Sequence, residues 1–206
     1  MKPNEKFGQL ADDAAIQRAI AALQTSGVEA VVVQSQEEAK RKFFEMLPAG
    51  AEVMNNSSVT LDTIGIAKEI VDSGRYDAVR NKLNKMDRAT HNSQMQKLGA
   101  GPDWAVGSAH AVTEDGKVMI ASNTGSQLSA YAGGASNVIW VVGAQKIVKD
   151  FEEGLKRIYE YSLPLERERA KKAYGIDSNV SKILVINKEV KPGRLSMIIV
   201  KEKLGF

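Results

Sequence analysis

Val106-Gly107-Ser108-Ala109-His110-Ala111-Val112-Thr113-Glu114-Asp115-Gly116-Lys117-Val118-Met119-Ile120-Ala121-Ser122-Asn123-Thr124-Gly125-Ser126-Gln127 is the stretch whose reading decides the fold. It reads as a strand, a tight Glu-Asp-Gly turn, a second strand, and a loop of small polar residues that opens a helix. Asp-Gly between two apolar runs is a favoured two-residue hairpin signal, which accounts for Asp115 and Gly116 and leaves Glu114 free for another role. Small polar residues, a turn carboxylate and a helix start packed this closely are how α/β proteins build ligand sites at strand ends.

Working outward, helical and strand patterns alternate. Ile16, Ile20 and Leu23 follow the i, i+4, i+7 spacing of an amphipathic helix over 12–24. Val28–Val33 is a β-branched run and hence a strand. Ala39, Phe43 and Met46 with Leu47 mark the next helix, which Pro48-Ala49-Gly50 ends. A short strand at 51–54 leads through Asn55-Asn56-Ser57-Ser58 into a helix from near Thr60 to Ser73-Gly74. Residues 75–103 are polar and poor in β-branched residues, which suits one or two helices acting as a lid over the site. Val138–Val142 is a continuous apolar run, expected of a strand buried on both faces. Phe151, Leu155 and Ile158 mark a helix, and Pro164 separates it from a charged one. Ile183–Ile186 and Leu195–Val200 are expected to close the chain as an antiparallel pair around Lys191-Pro192-Gly193. The alternation predicts one α/β domain over 1–206, with a mixed, mostly parallel sheet and helices on both faces.

The 206 residues suffice for a core without staples, and the chain has no cysteine, which excludes disulfides, thiolate metal sites and cysteine nucleophiles. No apolar stretch reaches the ~20 residues needed to span a bilayer, and no apolar run follows the first residues. A cytoplasmic protein with no membrane insertion is expected. The 28 basic residues are interleaved with 25 acidic ones, without a basic stripe or interleaved aromatics. That argues against a nucleic-acid partner, whereas a mild positive balance suits a small anion.

Two loops share one grammar. In Asn55–Thr60, hydroxyls and backbone N–H groups at a helix start favour a phosphate or carboxylate, and the plainer reading is that Ser58 or Thr60 only caps the helix. Ser122–Gln127 repeats the pattern and lacks the spacing of a P-loop or dinucleotide fingerprint, so it indicates neither ATP nor NAD. The candidate ligand-binding residues are therefore Ser57, Ser58, Thr60, Asn123, Thr124, Gly125 and Ser126. His110 stands four residues before Glu114 on an expected strand, so both would point to one face and form a catalytic pair, with Glu114 as base or nucleophile. His91 and His110 find no third ligand, so no metal site is assigned, and no cofactor is named by any motif.

At these residues the chain resembles the lactate-utilisation (LUD) domain family. Ser57-Ser58-Val59-Thr60-Leu61-Asp62-Thr63-Ile64-Gly65 is similar to that family's Ser-x-Thr-Leu-x-x-Ile-Gly helix start. Ala111–Gly116 is similar to its Ala-x-(Ala/Thr)-Glu-x-Gly strand and turn, Val141–Asp150 to its strand exit, and Leu204-Gly205-Phe206 to its chain end. The resemblance implies the fold of ribose-5-phosphate isomerases, glucosamine-6-phosphate deaminases and coenzyme A transferases. It also implies a link to the oxidation of L-lactate to pyruvate, beside iron–sulfur and flavin-like partner subunits. Without cysteine the chain cannot carry an iron–sulfur cluster itself. Thr113-Glu114-Asp115-Gly116 is further similar to the Ser-Glu-Asn-Gly segment of coenzyme A transferases, whose glutamate forms an acyl thioester, with Asp115 in place of the asparagine.

These readings lead to a protein that binds a small anionic metabolite of carboxylate or carbohydrate metabolism. The alternatives are a non-catalytic subunit docked on iron–sulfur oxidoreductase subunits, or a coenzyme A transferase-like enzyme. A homodimer would suit any of the three.

Overall fold

The computed structural model describes residues 2–206. Along the chain run α1 (Asp13–Thr25), β1 (Val28–Val33), α2 (Gln36–Met46), β2 (Glu52–Asn55), α3 (Val59–Thr63), α4 (Ile66–Asp72), β3 (Asp77–Ala78), α5 (Val79–Leu83) and α6 (Arg88–Ala100). Then follow β4 (Trp104–Gly107), β5 (Ala111–Thr113), β6 (Val118–Ser122), β7 (Asn137–Gly143), β8 (Ile147–Val148), α7 (Phe151–Arg157), α8 (Leu163–Tyr174), β9 (Lys182–Ile186) and β10 (Leu195–Val200).

The strands form two sheets. Six pair in the order β1-β10-β7-β4-β2-β3, all parallel, and four in the order β8-β5-β6-β9, of mixed direction. The expected α/β class holds, with the mixed character confined to the second, smaller sheet. β7 and β10 lie inside the parallel sheet, as their largely apolar sequences require. Their side chains alternate between its faces. Val138, Trp140, Val142, Leu195, Met197 and Ile199 meet α1, while Ile139, Val141, Ile198 and Val200 meet α2, α3 and α4 through Phe43, Leu61 and Ile66. The small sheet joins the α1 core through Val112, Val118 and Ile120, and its other face packs Ala111, Met119 and Val148 against Ile158 and Tyr161.

Four expectations are corrected. The opening stretch is not a simple hairpin in one sheet: β4 belongs to the parallel sheet, and the chain crosses at Ser108–His110 to enter the small sheet as β5. β9 and β10 do not pair with each other; half-buried β9 is an edge strand on β6, and fully buried β10 lies between β1 and β7. The helix from Thr60 is broken at Gly65, whose φ of +73° is open to glycine at little cost. Pro164 does not separate two helices, because it falls in the first turn of α8, where no intrahelical N–H is needed. α7 and α8 run on through a wide turn at Ile158–Ser162. The buried face of α7 is Gly154, Arg157, Ile158 and Tyr161, while Phe151 stays largely exposed.

Candidate functional site

Where the chain passes between the sheets it leaves a cavity of about 370 Å³. Two crossings form its floor. One is Ser108–His110 between β4 and β5; the other is the turn Ala144–Lys146 between β7 and β8. The loop after β2, the loop after β6 and α8 make the walls. The expected pairing of the two small-residue loops is realised, but from strands of different sheets.

Ser57, Ser58, Thr60, His110, Asn123, Thr124 and Ser126 all line this cavity. Their duties differ. Ser58 is the N-cap of α3, its Oγ accepting from the Leu61 N–H at 3.3 Å. Ser122 Oγ accepts from Gly125 N–H at 2.8 Å and donates to Gln127 Oε1 at 3.1 Å, which knits the second loop into a fixed turn. Gly125 does not line the cavity; its role is conformational, with φ at +86° and Lys182 against its Cα.

Glu114 is the main departure. It lies outside the cavity and forms an ion pair with Arg18 at 2.5 Å. The reason is the hairpin tip: a Cβ on Gly116 would stand 2.7 Å from the Ala22 carbonyl, so the turn rests against α1. Only Ala111–Thr113 are strand, and the expected His110–Glu114 pair does not form. Nor do residues 75–103 close the cavity. None of them lines it, and α6 is mostly exposed, His91 included.

The residues that dominate the floor were missed in the sequence. Lys146 is 2% exposed, and its Nζ donates to Thr60 Oγ1 and to Ser108 Oγ, each at 3.1 Å. Burial, with the Arg157 guanidinium second, holds its pKa well below the ordinary lysine value. Arg157 is fully buried on α7 and donates to the carbonyls of Gln145, at 3.2 Å, and His110, and to Ser162 Oγ at 3.1 Å. Burial lowers its pKa to about 10, so it remains charged at neutral pH, yet no carboxylate pairs with it among the described residues. One of its nitrogens, Nη2, has no partner at all.

His110 is pushed down to about 3, chiefly by burial and also by the nearby Arg157 charge, so the ring is neutral. Its Nδ1 accepts from the Ala121 N–H at 3.2 Å, which assigns the proton to Nε2. Asn56 is 5% exposed and lines the same cavity, and its amide nitrogen is buried without a hydrogen-bond partner. At the mouth, Arg169 is held by Glu166 through two bonds of 2.7 and 2.8 Å. The floor thus combines a buried amine with a depressed pKa and a neutral imidazole, with the buried positive charge of Arg157 behind them.

One signal for Lys146 was present: Gln145-Lys146 interrupts an otherwise small or apolar run from Val138 to Val148. Arg157 gave none, since an arginine beside an apolar helical stripe usually reaches solvent.

Comparisons with known proteins agree with this architecture. No curated protein matches the chain. A crystal structure of a DUF162 family protein from Deinococcus radiodurans superposes with a TM-score of 0.57 at 14% identity, over 93% of this chain and 99% of that one, which is a likeness of fold. The LUD domain model matches residues 16–200. The parallel sheet, the second sheet and the crossings between them all fall within that span, and the chain belongs to the LUD domain family.

Proposed function

We propose that this LUD-domain protein binds a small anionic metabolite, a carboxylate of the lactate type or a sugar phosphate, in the cavity between its two sheets. The observation that carries this reading is Arg157, a buried guanidinium with no counter-ion behind the cavity floor. A buried charge left unpaired is costly, and two opposite unit charges about 6 Å apart attract by roughly 3 kcal/mol at an effective dielectric of ~20. An anion in the cavity relieves that imbalance. Ser57, Thr60, Ser108 and Thr124 offer hydroxyls to its oxygens, and Asn56 offers a buried N–H₂ without a partner.

Glu114 has no part in this reading, because its carboxylate is turned to Arg18 on α1. The coenzyme A transferase alternative loses its nucleophile with it.

A thermal-shift screen tests the proposal with L-lactate, pyruvate and sugar phosphates beside uncharged analogues such as lactamide. A ligand at ~100 times its Kd adds about 2.7 kcal/mol, or roughly 5–10 °C for a domain of this size. Stabilisation by the anions and not by lactamide, weakened in Thr124→Ala, is the expected result. Equal response to charged and neutral compounds overturns the anion reading. Silence across the panel favours the other class of function, a subunit that acts only beside iron–sulfur partner proteins.

A further inference from the structure

Lys146 is buried, and its hydrogen bonds go to two hydroxyls and to no carboxylate. Thr60 Oγ1 gives its own hydrogen to the Leu204 carbonyl at 3.2 Å, and Ser108 Oγ gives its hydrogen to the Ala109 carbonyl at 3.3 Å. Both hydroxyls therefore receive from Nζ and neither donates to it. In its uncharged form the amine has two N–H groups and one lone pair, and these two acceptors take both N–H groups and leave the lone pair to the cavity. No carboxylate lies within ion-pair distance of Nζ among the described residues, and the residue lines the cavity.

We propose that Lys146 is a covalent centre, whose ε-amine condenses with the carbonyl carbon of a small metabolite carrying an anionic group, such as a 2-oxo acid, to form a Schiff base. This deepens the anion-binding reading and rests on it. The lone pair of Nζ attacks the carbonyl carbon and a C–N bond forms. One amine hydrogen passes to the carbonyl oxygen, giving a carbinolamine. The C–O bond then breaks, and the second amine hydrogen leaves with that oxygen as water. The balance is amine plus carbonyl to imine plus water, with no oxidant or reductant.

The surroundings suit each stage. Thr60 and Ser108 fix the nitrogen and are acceptors for its hydrogens as they leave. His110 Nε2–H is a donor lining the same cavity, available to the carbonyl oxygen as negative charge gathers on it. The buried charge of Arg157 favours the substrate's anionic group and disfavours a proton on the amine. A lysine kept neutral by an apolar setting and a neighbouring cation is the ordinary way such a nucleophile is prepared.

The test is reductive trapping. The purified protein is incubated with pyruvate at neutral pH, treated with borohydride, and read by intact mass and peptide mapping. The expected result is a single reduced adduct blocking tryptic cleavage at Lys146. Its labelling should exceed that of every surface lysine. L-lactate, which has no carbonyl, is expected to protect Lys146 without labelling it. Lys146→Met should lose the adduct; should that variant fail to fold, Ser108→Ala keeps the amine and is expected to slow the trapping. Labelling spread evenly over surface lysines overturns the proposal. So does a pyruvate-induced thermal shift without trapping, in which case the anion site stands and the Schiff base falls. Neither shift nor trapping with pyruvate, lactate or sugar phosphates overturns both readings.

Discussion

Lys146 Nζ stands 3.1 Å from Thr60 Oγ1, and Thr60 hands the bond on to the Leu204 carbonyl at 3.2 Å, so a helix start, an inter-sheet turn and the end of the described chain meet at one hydroxyl. Thr60→Val keeps the shape and removes that hydroxyl, leaving a buried Lys146 N–H without its acceptor, while the Leu204 carbonyl keeps its bond from Gln145 Nε2 at 2.9 Å. Loss of a hydrogen bond with its partners left buried costs about 2 kcal/mol, or roughly 4–8 °C in Tm for a domain of this size. Thermal denaturation of Thr60→Val beside Thr60→Ser measures it. Thr60→Ser, which keeps the hydroxyl, should avoid most of the loss, and equal stability of the two variants would remove Thr60 from the structural role.

His110 gives a pH dependence of defined sign. Its folded pKa of about 3 lies below the ordinary 6.5, so the unfolded chain binds the proton first as pH falls. The stability associated with a neutral His110 is therefore complete above pH 6.5 and drains away as pH drops toward 3, with a slope approaching about 1.4 kcal/mol per pH unit between those limits. Urea unfolding from pH 7 to pH 4 should be flatter for His110→Asn, whose amide oxygen can still accept from the Ala121 N–H. Parallel curves for the two proteins would mean that the imidazole titrates as it does in the unfolded chain.

Glu114→Gln is expected to leave ligand affinity unchanged and to shift Tm only slightly. The Arg18–Glu114 pair is at the surface, screened by solvent, and lies on α1 rather than at the cavity. Titration of the variant with any ligand identified in the thermal-shift screen checks this. A large loss of affinity would return Glu114 to the site.

What the sequence made legible follows from how local each signal is. The unbroken apolar run of β7 and the helical spacing of α1 and α2 state their burial directly, and the two small-residue loops announced cavity walls through composition alone. The existence of two sheets was not legible, because Ser108–His110 and Ala144–Lys146 are brief crossings that local periodicity cannot separate from strand. For the same reason the floor of the site escaped notice. Lys146 and Arg157 owe their character to what packs over them, and burial of a charge is a tertiary fact. Glu114 was overrated because an Asp-Gly hairpin fixes the turn but not the element the turn leans on, and here that element is α1.

The closest packing between α7 and the small sheet yields the last prediction. Gly154 is buried, and a Cβ placed on it would collide with Met119 Sδ and stand 3.6 Å from Ala111 Cβ. Any side chain there must push α7 away from β6, or drive Met119 off its rotamer, at a cost of about 1–3 kcal/mol. Because α7 carries Arg157, the displacement also disturbs the charge behind the cavity. Gly154→Ala is therefore expected to lower both Tm and affinity for an anionic ligand, and Met119→Val, which removes the sulfur, should restore part of each. A double-mutant cycle on the two positions reads the coupling as non-additivity of the two changes. Additive effects would show that helix and sheet are free to part without consequence for the site.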